Sequence, residues 1–376
     1  MAKLKVVARE PEDKFHADPE HSFTMASRYY TSPEVYEREK EAIFYRSWNF
    51  VGHVSQVPEI GSYLECRVID QNIFVIRGKD GELRAFYNVC SHRAHELLKG
   101  SGRTKVITCP YHAWSYHIDG RLRTARGSEK VVGFDKDEFC LTRVQVEEFC
   151  GFLFVNLDPE AAALADQAPG LADEMRHYEP DLDNLVYAWR LTYEVEANWK
   201  NVIDNYLECY HCPVAHPAFS DLVDIKRYRS VTYDIHSSHI GAAGPPDNKA
   251  YSFESGSDQQ NHFAGWWIWP NLAFNTLPGA ANMSTFHVIP TGPETTLQNF
   301  DFYFLDTTPN AEQRDAIEYV DTVLAPEDNG LVESVQRGLN SRGYDQGRFV
   351  IDKDRSDISE HAVHHFQSLV RDALGG

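Results

Sequence analysis

Two short arms constrain this chain more than any other feature: Cys90-Ser91-His92 and, after sixteen intervening residues, Cys109-Pro110-Tyr111-His112. Each arm supplies one thiol and one imidazole. A zinc finger pairs like with like, two cysteines and then two histidines. Mixed arms instead bring two thiolates and two imidazoles together. That donor set fits one zinc ion, or a [2Fe–2S] cluster with cysteines on one iron and histidines on the other. Pro110, Tyr111 and Trp114 beside the second arm provide cover that restricts water, which favours the cluster.

The rest of the chain is too long to serve this site alone. At 376 residues it exceeds what one hydrophobic core usually supports, so two domains are expected. Residues 31–48 read as a helix capped by Ser32, with Pro33 in its first turn and Tyr36, Ile43 and Phe44 on one apolar face. From about Phe50 the hydrophobic period changes to two. "SYLECRVI" and "NIFVIRGKDGELRAFYNV" read as strands, the latter folded into a hairpin at Lys79-Asp80-Gly81. The β pattern runs to about Leu157, and the Cys/His arms fall in its loops. "DPEAAALADQAPG" (158–170) reads as a boundary. Beyond it, "NWKNVIDNYLECYHC" reads as a helix ended by Pro213. An aromatic, strand-rich meander follows, and then three helices. The expected class is α+β: an N-terminal helical segment over 1–45 packed on the catalytic part, an all-β domain over 46–160, and an antiparallel sheet with packed helices over 161–376.

A second metal pattern lies in the second half. His211 and His216 are five apart in "DNYLECYHCPVAHP", a spacing that one straight helix does not bring to one face. Pro213 between them lets the chain turn. Two imidazoles and one carboxylate leave open positions on ferrous iron for dioxygen. Asp328 in "APEDNGLVESVQRGL" is the carboxylate candidate, with Glu327 as the neighbouring alternative and a helix N-cap as the other reading of Asp328. Asp204 is a candidate acceptor for an iron ligand. Cys209 and Cys212 read as packing residues, and His95, His117 and His262 as structural or surface residues.

Composition excludes several partners. The formal net charge of −20 repels phosphate backbones and anionic lipid, so neither nucleic acid nor membrane is expected. No run approaches a membrane span, and the N-terminal stretch lacks the apolar core of a signal peptide. Seven cysteines, an odd number with two in the metal arms, do not read as a disulfide scaffold. A reducing, cytoplasmic setting is expected.

Taken together, C-x-H-x16-C-x-x-H and "DNYLECYHCPVAHP" followed by an acidic residue near a helix start resemble the α subunits of the Rieske non-haem iron oxygenases. "FYNVCSHRAHELLKGSG", "VITCPYHAWSYHIDG", "NWKNVIDNYLECYHC" and "PEDNGLVESVQRGLNSRGY" are most similar to the group acting on quaternary ammonium compounds such as carnitine, glycine betaine, proline betaine and choline. Ser91 and Ala94 depart from the frequent Pro and Gly of the first arm.

The resemblance implies a Rieske [2Fe–2S] domain with Cys90, His92, Cys109 and His112 as ligands. It also implies a helix-grip catalytic domain with mononuclear iron on His211, His216 and Asp328. A head-to-tail homotrimer would set the cluster of one subunit against the iron of the next, bridged by Glu208. Ring-hydroxylating relatives mostly carry Asp there, whereas Glu is shared with the amine group. Electrons would come from NAD(P)H through a flavin/[2Fe–2S] reductase. Dioxygen would be spent on hydroxylating a C–H bond beside nitrogen, with N-demethylation or C–N cleavage as the outcome. Aromatic faces would bind the ammonium. Tyr206 is the first candidate, with Trp266, Trp267, Trp269, Phe263 and Phe274 alongside. Asn275 and His287 are candidate donors to a substrate carboxylate. Competing readings are an aromatic ring-hydroxylating dioxygenase subunit and a Rieske electron carrier without oxygenase activity.

Overall fold

The computed structural model describes residues 13–255, 257 and 260–375. The first twelve residues of the N-terminal segment lie outside the described residues. Helix α1 (Pro33–Glu39) starts as the sequence predicts: the Ser32 side chain accepts from the Val35 amide at 3.3 Å and Pro33 enters the first turn. One π-helical turn, Lys40–Phe44, extends it and buries Ile43 and Phe44.

The period-two pattern becomes sheet. Strands β1 (Asn49–His53), β2 (Ser62–Val68), β3 (Gln71–Arg77), β4 (Leu83–Tyr87) and β5 (Ser101–Arg103) precede a small three-stranded sheet of β6 (Ile107–Thr108), β7 (Ser115–Tyr116) and β8 (Leu122–Thr124). Strands β9 (Arg143–Phe149) and β10 (Phe152–Asn156) complete a seven-stranded sheet ordered β1-β10-β9-β4-β3-β2-β5. The β3–β4 hairpin turns at Gly81, whose φ of 86° explains a glycine there.

A second seven-stranded antiparallel sheet holds β11 (Val186–Val195), β12 (Arg229–Thr232), β13 (His236–Ala242), β14 (His262–Ile268), β15 (Leu272–Thr276), β16 (Met283–Gly292) and β17 (Thr295–Phe304), ordered β11-β17-β16-β15-β14-β13-β12. Helices α2 (Trp199–Tyr206), α3 (Ala325–Leu339) and α4 (His361–Ala373) pack on it, with Trp199, Val332 and Phe366 in one core with Trp267 and Phe286. That core continues into Ile73, Val75 and Leu153 of the first sheet, so the two sheets are joined through apolar packing.

Segment 13–31 lies against the C-terminal half: Met25 N donates to Gln367 and Thr24 N to the Gly347 carbonyl. Beside it Lys200 and Glu39, both with fully buried side chains, pair at 2.5 Å, and Trp199 Nε1 donates to the same carboxylate at 2.9 Å. Burial pulls the Lys200 ammonium below its usual range.

The iron-histidine segment departs from expectation. Helix α2 stops at Tyr206, well before Pro213. Glu208 ends it: its carboxylate accepts from the Tyr210 and His211 amides, so the side chain replaces the next helical carbonyl. Pro213 does not terminate a helix but sits in the first turn of a new one, Cys212–Ala215, where its missing N–H costs nothing. Glu208 and His211 therefore meet across a turn and not along a helix face.

Candidate metal centres and active site

The two arms of the first centre fold alike. Cys90 N donates to His95 O and Ala94 N to Cys90 O; Cys109 N donates to Trp114 O and Ala113 N to Cys109 O. Ala94 and Ala113 take positive φ of 56° and 59°, which closes each arm into the same tight loop. Cys90 and Cys109 are buried, whereas His92 is exposed and His112 half-buried, so the thiols face inward and the imidazoles outward. The imidazole centroids are 4.7 Å apart, and His92 stacks on Trp114 at 4.6 Å. Tyr116 Oη lies 3.2 Å from Cys90 Sγ and accepts from the Ser91 amide. Burial pushes the Cys90 thiol up, partly offset by Tyr116, with Cys109 beside it. His112 Nδ1 is buried without a hydrogen-bond partner. Two inward thiols, two converging imidazoles and an orphaned ring nitrogen fit a Rieske cluster.

The second centre is built from a turn and a helix. His211 precedes the short helix Cys212–Ala215 and His216 follows it. Asp328 is not an N-cap: it lies inside α3, which continues through a π-helical turn from the helix Ala311–Tyr319. The ligand atoms of His211, His216 and Asp328 all lie within 4.8 Å of one another. Asp328 Oδ1 is 2.9 Å from His216 Nε2 and 3.7 Å from His211 Nε2. The opposite ring nitrogens are held too: Glu208 Oε1 is 2.5 Å from His211 Nδ1, and Glu327 Oε2 is 2.8 Å from His216 Nδ1. Burial works against charge on His216, yet Asp328 and Glu327 outweigh it and push the imidazole up to about 9. The triad thus favours a cation, and two Nε2 atoms plus one carboxylate fit a ferrous ion with open positions.

Two expected roles do not match the structure, and a third is only part of what the structure shows. Asp204 accepts from Tyr30 Oη at 2.5 Å and Gln367 Nε2 at 2.9 Å, tying α2 to the N-terminal segment and α4, and contacts no iron histidine. Burial raises its carboxyl to about 7, although Tyr30 and Gln367 lower it. Cys209 and Cys212 pack in an apolar cluster as expected, but they also form a disulfide, because the turn at Glu208 brings their Cα atoms to 4.9 Å. The aromatic candidates divide. A cavity of about 120 Å³ beside the triad is lined by Tyr206, Tyr228, Phe219, Phe263, Phe286 and Phe300, together with Asn275, Ser284 and Gln298.

Trp266, Trp269 and Phe274 are absent from the cavity wall, and so are Trp267 and His287. Strand alternation is the reason. On β14, Phe263 faces the cavity while Trp266 faces the opposite core and stands 6.1 Å from Tyr178. On β15, Asn275 faces in and Phe274 packs 4.6 Å from Phe152. Trp267 lies on the cavity side of its sheet but farther along, covered by Phe366 at 5.4 Å, and Trp269 packs beside it. His287 packs at 5.4 Å on Phe50, away from the iron site.

Tyr206 Oη donates to Asn275 Oδ1 at 2.8 Å, and burial pushes the hydroxyls of Tyr206 and Tyr228 well above the usual range, so both stay neutral. Gly265 makes room for this pair: a Cβ there would lie 2.6 Å from Tyr206 Oη. Among the described residues no Lys or Arg lines the cavity. Tyr228 lies outside any strand, and no pattern in the sequence marked it. Phe286 with Ser284, and Phe300 with Gln298, share a face at period two, a signal that becomes readable once β16 and β17 are known to pair.

The family comparisons agree with this geometry. Residues 47–135 match the Rieske [2Fe-2S] domain and residues 182–376 the ring hydroxylating alpha subunit (catalytic domain). The chain belongs to the Rieske non-haem iron oxygenases, as an α subunit with a monooxygenase's two iron centres. Within that family it is 46% identical over 369 residues to the carnitine monooxygenase oxygenase subunit of Acinetobacter baumannii, covering 98% of this chain and 99% of the relative. The Escherichia coli K12 counterpart is 44% identical, covering 95% and 96%. Choline monooxygenase of Beta vulgaris is 33% identical, covering 95% of this chain and 78% of the relative. The structure of a quaternary ammonium Rieske monooxygenase in complex with L-carnitine superposes with a TM-score of 0.87 at 44% identity, covering 97% of this chain and 99% of that one. Among the described residues, no helix is long and apolar enough to cross a membrane.

Proposed function

We propose that this chain oxidises a betaine-type quaternary ammonium compound, such as carnitine, γ-butyrobetaine, glycine betaine or proline betaine, beside its nitrogen. The observation that carries the reading is the cavity: aromatic side chains meet the His211–His216–Asp328 triad, and among the described residues no lysine or arginine lines the wall. A quaternary ammonium has no hydrogen to donate, so aromatic faces and nearby carboxylate charge are what bind it. Tyr206 and Tyr228 supply neutral rings. Asn275, anchored by Tyr206, and Gln298 face the cavity as amide donors for a substrate carboxylate. Iron held by His211, His216 and Asp328 would supply dioxygen activation, and a Rieske cluster held by Cys90, His92, Cys109 and His112 would supply electrons one at a time. Glu208 holds His211 with a small part of its side chain left in solvent, and it serves as the bridge to a neighbouring subunit's cluster in a head-to-tail homotrimer. The two electrons per turnover come from NAD(P)H through a flavin/[2Fe–2S] reductase in the cytoplasm.

Hydroxylation of a methyl C–H gives an N-hydroxymethyl group that leaves as formaldehyde. Hydroxylation of the carbon beside nitrogen on the longer arm gives a carbinolamine that loses a proton and collapses to an aldehyde and trimethylamine. The similarity to the carnitine and choline monooxygenases supports this substrate class over aromatic rings. The test is turnover with carnitine, γ-butyrobetaine, glycine betaine, proline betaine and choline in the presence of a reductase, scoring formaldehyde against trimethylamine. Naphthalene serves as the control, and oxidation of naphthalene but of none of the amines overturns the reading.

A further inference from the structure

Two consecutive residues of α3 hold both nitrogens of one ring. Asp328 Oδ1 lies 2.9 Å from His216 Nε2, and Glu327 Oε2 lies 2.8 Å from His216 Nδ1. The His216 ring is almost fully buried, whereas the Glu327 side chain keeps a third of its surface in solvent. His211 repeats the pattern: its Nδ1 is held by Glu208 and its Nε2 turns toward Asp328. Nε2 faces the point on which His211 and Asp328 also converge, so an ion there would take the Nε2 lone pair and leave the ring proton on Nδ1, toward Glu327. Glu327 is therefore on the wrong side of the ring to be an alternative ligand.

We propose that Glu327 is a positioning residue of the mononuclear site, fixing His216 as the Nδ1–H tautomer with Nε2 aimed at the ion. The assignment rests on the reading of His211, His216 and Asp328 as a metal site. Glu327 and Asp328 lie in the first turn of α3 with Pro326, so their backbone is set by the helix before any ion arrives. The long Glu side chain reaches around the ring edge while the shorter Asp side chain meets it head on. Glu208 and Glu327 divide the work. Glu208 also ends α2 through two backbone amides, so replacing it disturbs the turn; the bond to His216 is the one side-chain hydrogen bond of Glu327 among the described residues. Glu327 thus isolates the effect of the carboxylate on its ligand.

The test uses the full-length chain with its Rieske cluster, comparing wild type, E327Q, E327A and D328N. Ferrous affinity is read by chelator competition, ligand geometry by the EPR spectrum of the nitric oxide adduct, and the fold by the EPR signal of the reduced Rieske cluster. The expected result is a 10–100-fold loss of ferrous affinity in E327A, with a changed nitrosyl spectrum and an unaltered Rieske signal. E327Q, whose amide oxygen still accepts from Nδ1–H, is expected to recover the wild-type nitrosyl spectrum and most of the affinity. Wild-type affinity and spectrum in E327A overturn the assignment. So does an E327Q as depleted of iron as D328N, which would make Glu327 a ligand. If E327A loses its Rieske signal, E327Q alone decides on the same two criteria. A wild-type chain that binds no ferrous ion while its Rieske signal is present sinks the metal reading itself, a result distinct from both.

Discussion

Tyr206 Oη donates to Asn275 Oδ1 at 2.8 Å, joining the last turn of α2 to β15 across the cavity. One bond thereby fixes both an aromatic wall and an amide donor. Y206F keeps the ring and loses the bond, at a cost of about 1 kcal/mol. Y206L loses the ring face as well, a further ~1–2 kcal/mol for a desolvated cation. Steady-state kinetics on the preferred amine are expected to show KM rising modestly in Y206F and by at least tenfold in Y206L. Equal effects would mean that the ring face contributes nothing.

Gly265 tests the same pair from behind. The methyl group of G265A would lie 2.6 Å from Tyr206 Oη and 3.1 Å from Asn275 Oδ1, so the tyrosine must move. The expected variant folds and retains both iron centres but binds substrate more weakly; substrate titration against the nitrosyl EPR signal checks this.

The Cys/His arms were legible because mixed thiol and imidazole pairs at short spacings have few other uses, whereas His211, His216 and Asp328 were readable only through the family resemblance, and the structure brings their ligand atoms within 4.8 Å of one another. The cavity was much less legible. The tryptophans of "GWWIWPNLAFN" advertised an aromatic site, yet the structure spends them on two cores and uses Tyr228, Phe286 and Phe300 instead. Aromatic content says that a strand is buried; which face is buried against what depends on pairing register and on helices arriving from elsewhere in the chain. The end of α2 was hidden for a related reason. Pro213 looked like the terminator, but the Glu208 carboxylate captured two amides first. Asp204 looked like a partner for iron because it lies near the histidines in sequence, while its actual partners, Tyr30 and Gln367, come from the chain's two ends.

Glu208 carries the proposed wiring together with the hold on His211 and its turn, so the state of the Rieske cluster must be read beside product formation. On the proposed trimer, E208A is expected to leave the cluster reducible while product formation falls by at least a hundredfold, so that reduced Rieske cluster accumulates in the presence of substrate and dioxygen. Freeze-quench EPR follows it. Full turnover in E208A would remove this side chain from the electron path.

The buried Lys200–Glu39 pair predicts a large stability effect. E39A leaves an ammonium inside the core without its counter-charge and is expected to cost about 3–5 kcal/mol. E39A K200M, which removes both charges, is expected to recover much of the loss. Urea unfolding followed by tryptophan fluorescence compares the two, and an additive double variant contradicts the pairing.

Acid sensitivity follows from histidines kept neutral by burial. Burial lowers His53 and His236 to about 4, and His239 and His287 to about 3, the last three with smaller contributions from neighbouring charges. In the unfolded chain each takes a proton near 6.5. Their contribution is therefore complete above about pH 6.5 and is lost progressively as pH falls toward 3–4. Urea midpoints are expected to be level above pH 7 with respect to these groups and to decline steeply below 6. H239Q is expected to flatten that decline.

The two imidazoles of the mononuclear site stand on a turn, whereas the carboxylate stands on a long helix from a distant part of the chain. An ion shared among them is consequently a staple between backbone segments as well as a reagent. Val332 stands on that helix, and Tyr206 and Phe219 flank the turn in the chain, so an ion held there would also tie the chamber walls together. Substrate recognition would then mature only after the metal is in place, and a metal-stripped chain would be a poor receptor for the very molecule it is shaped to oxidise.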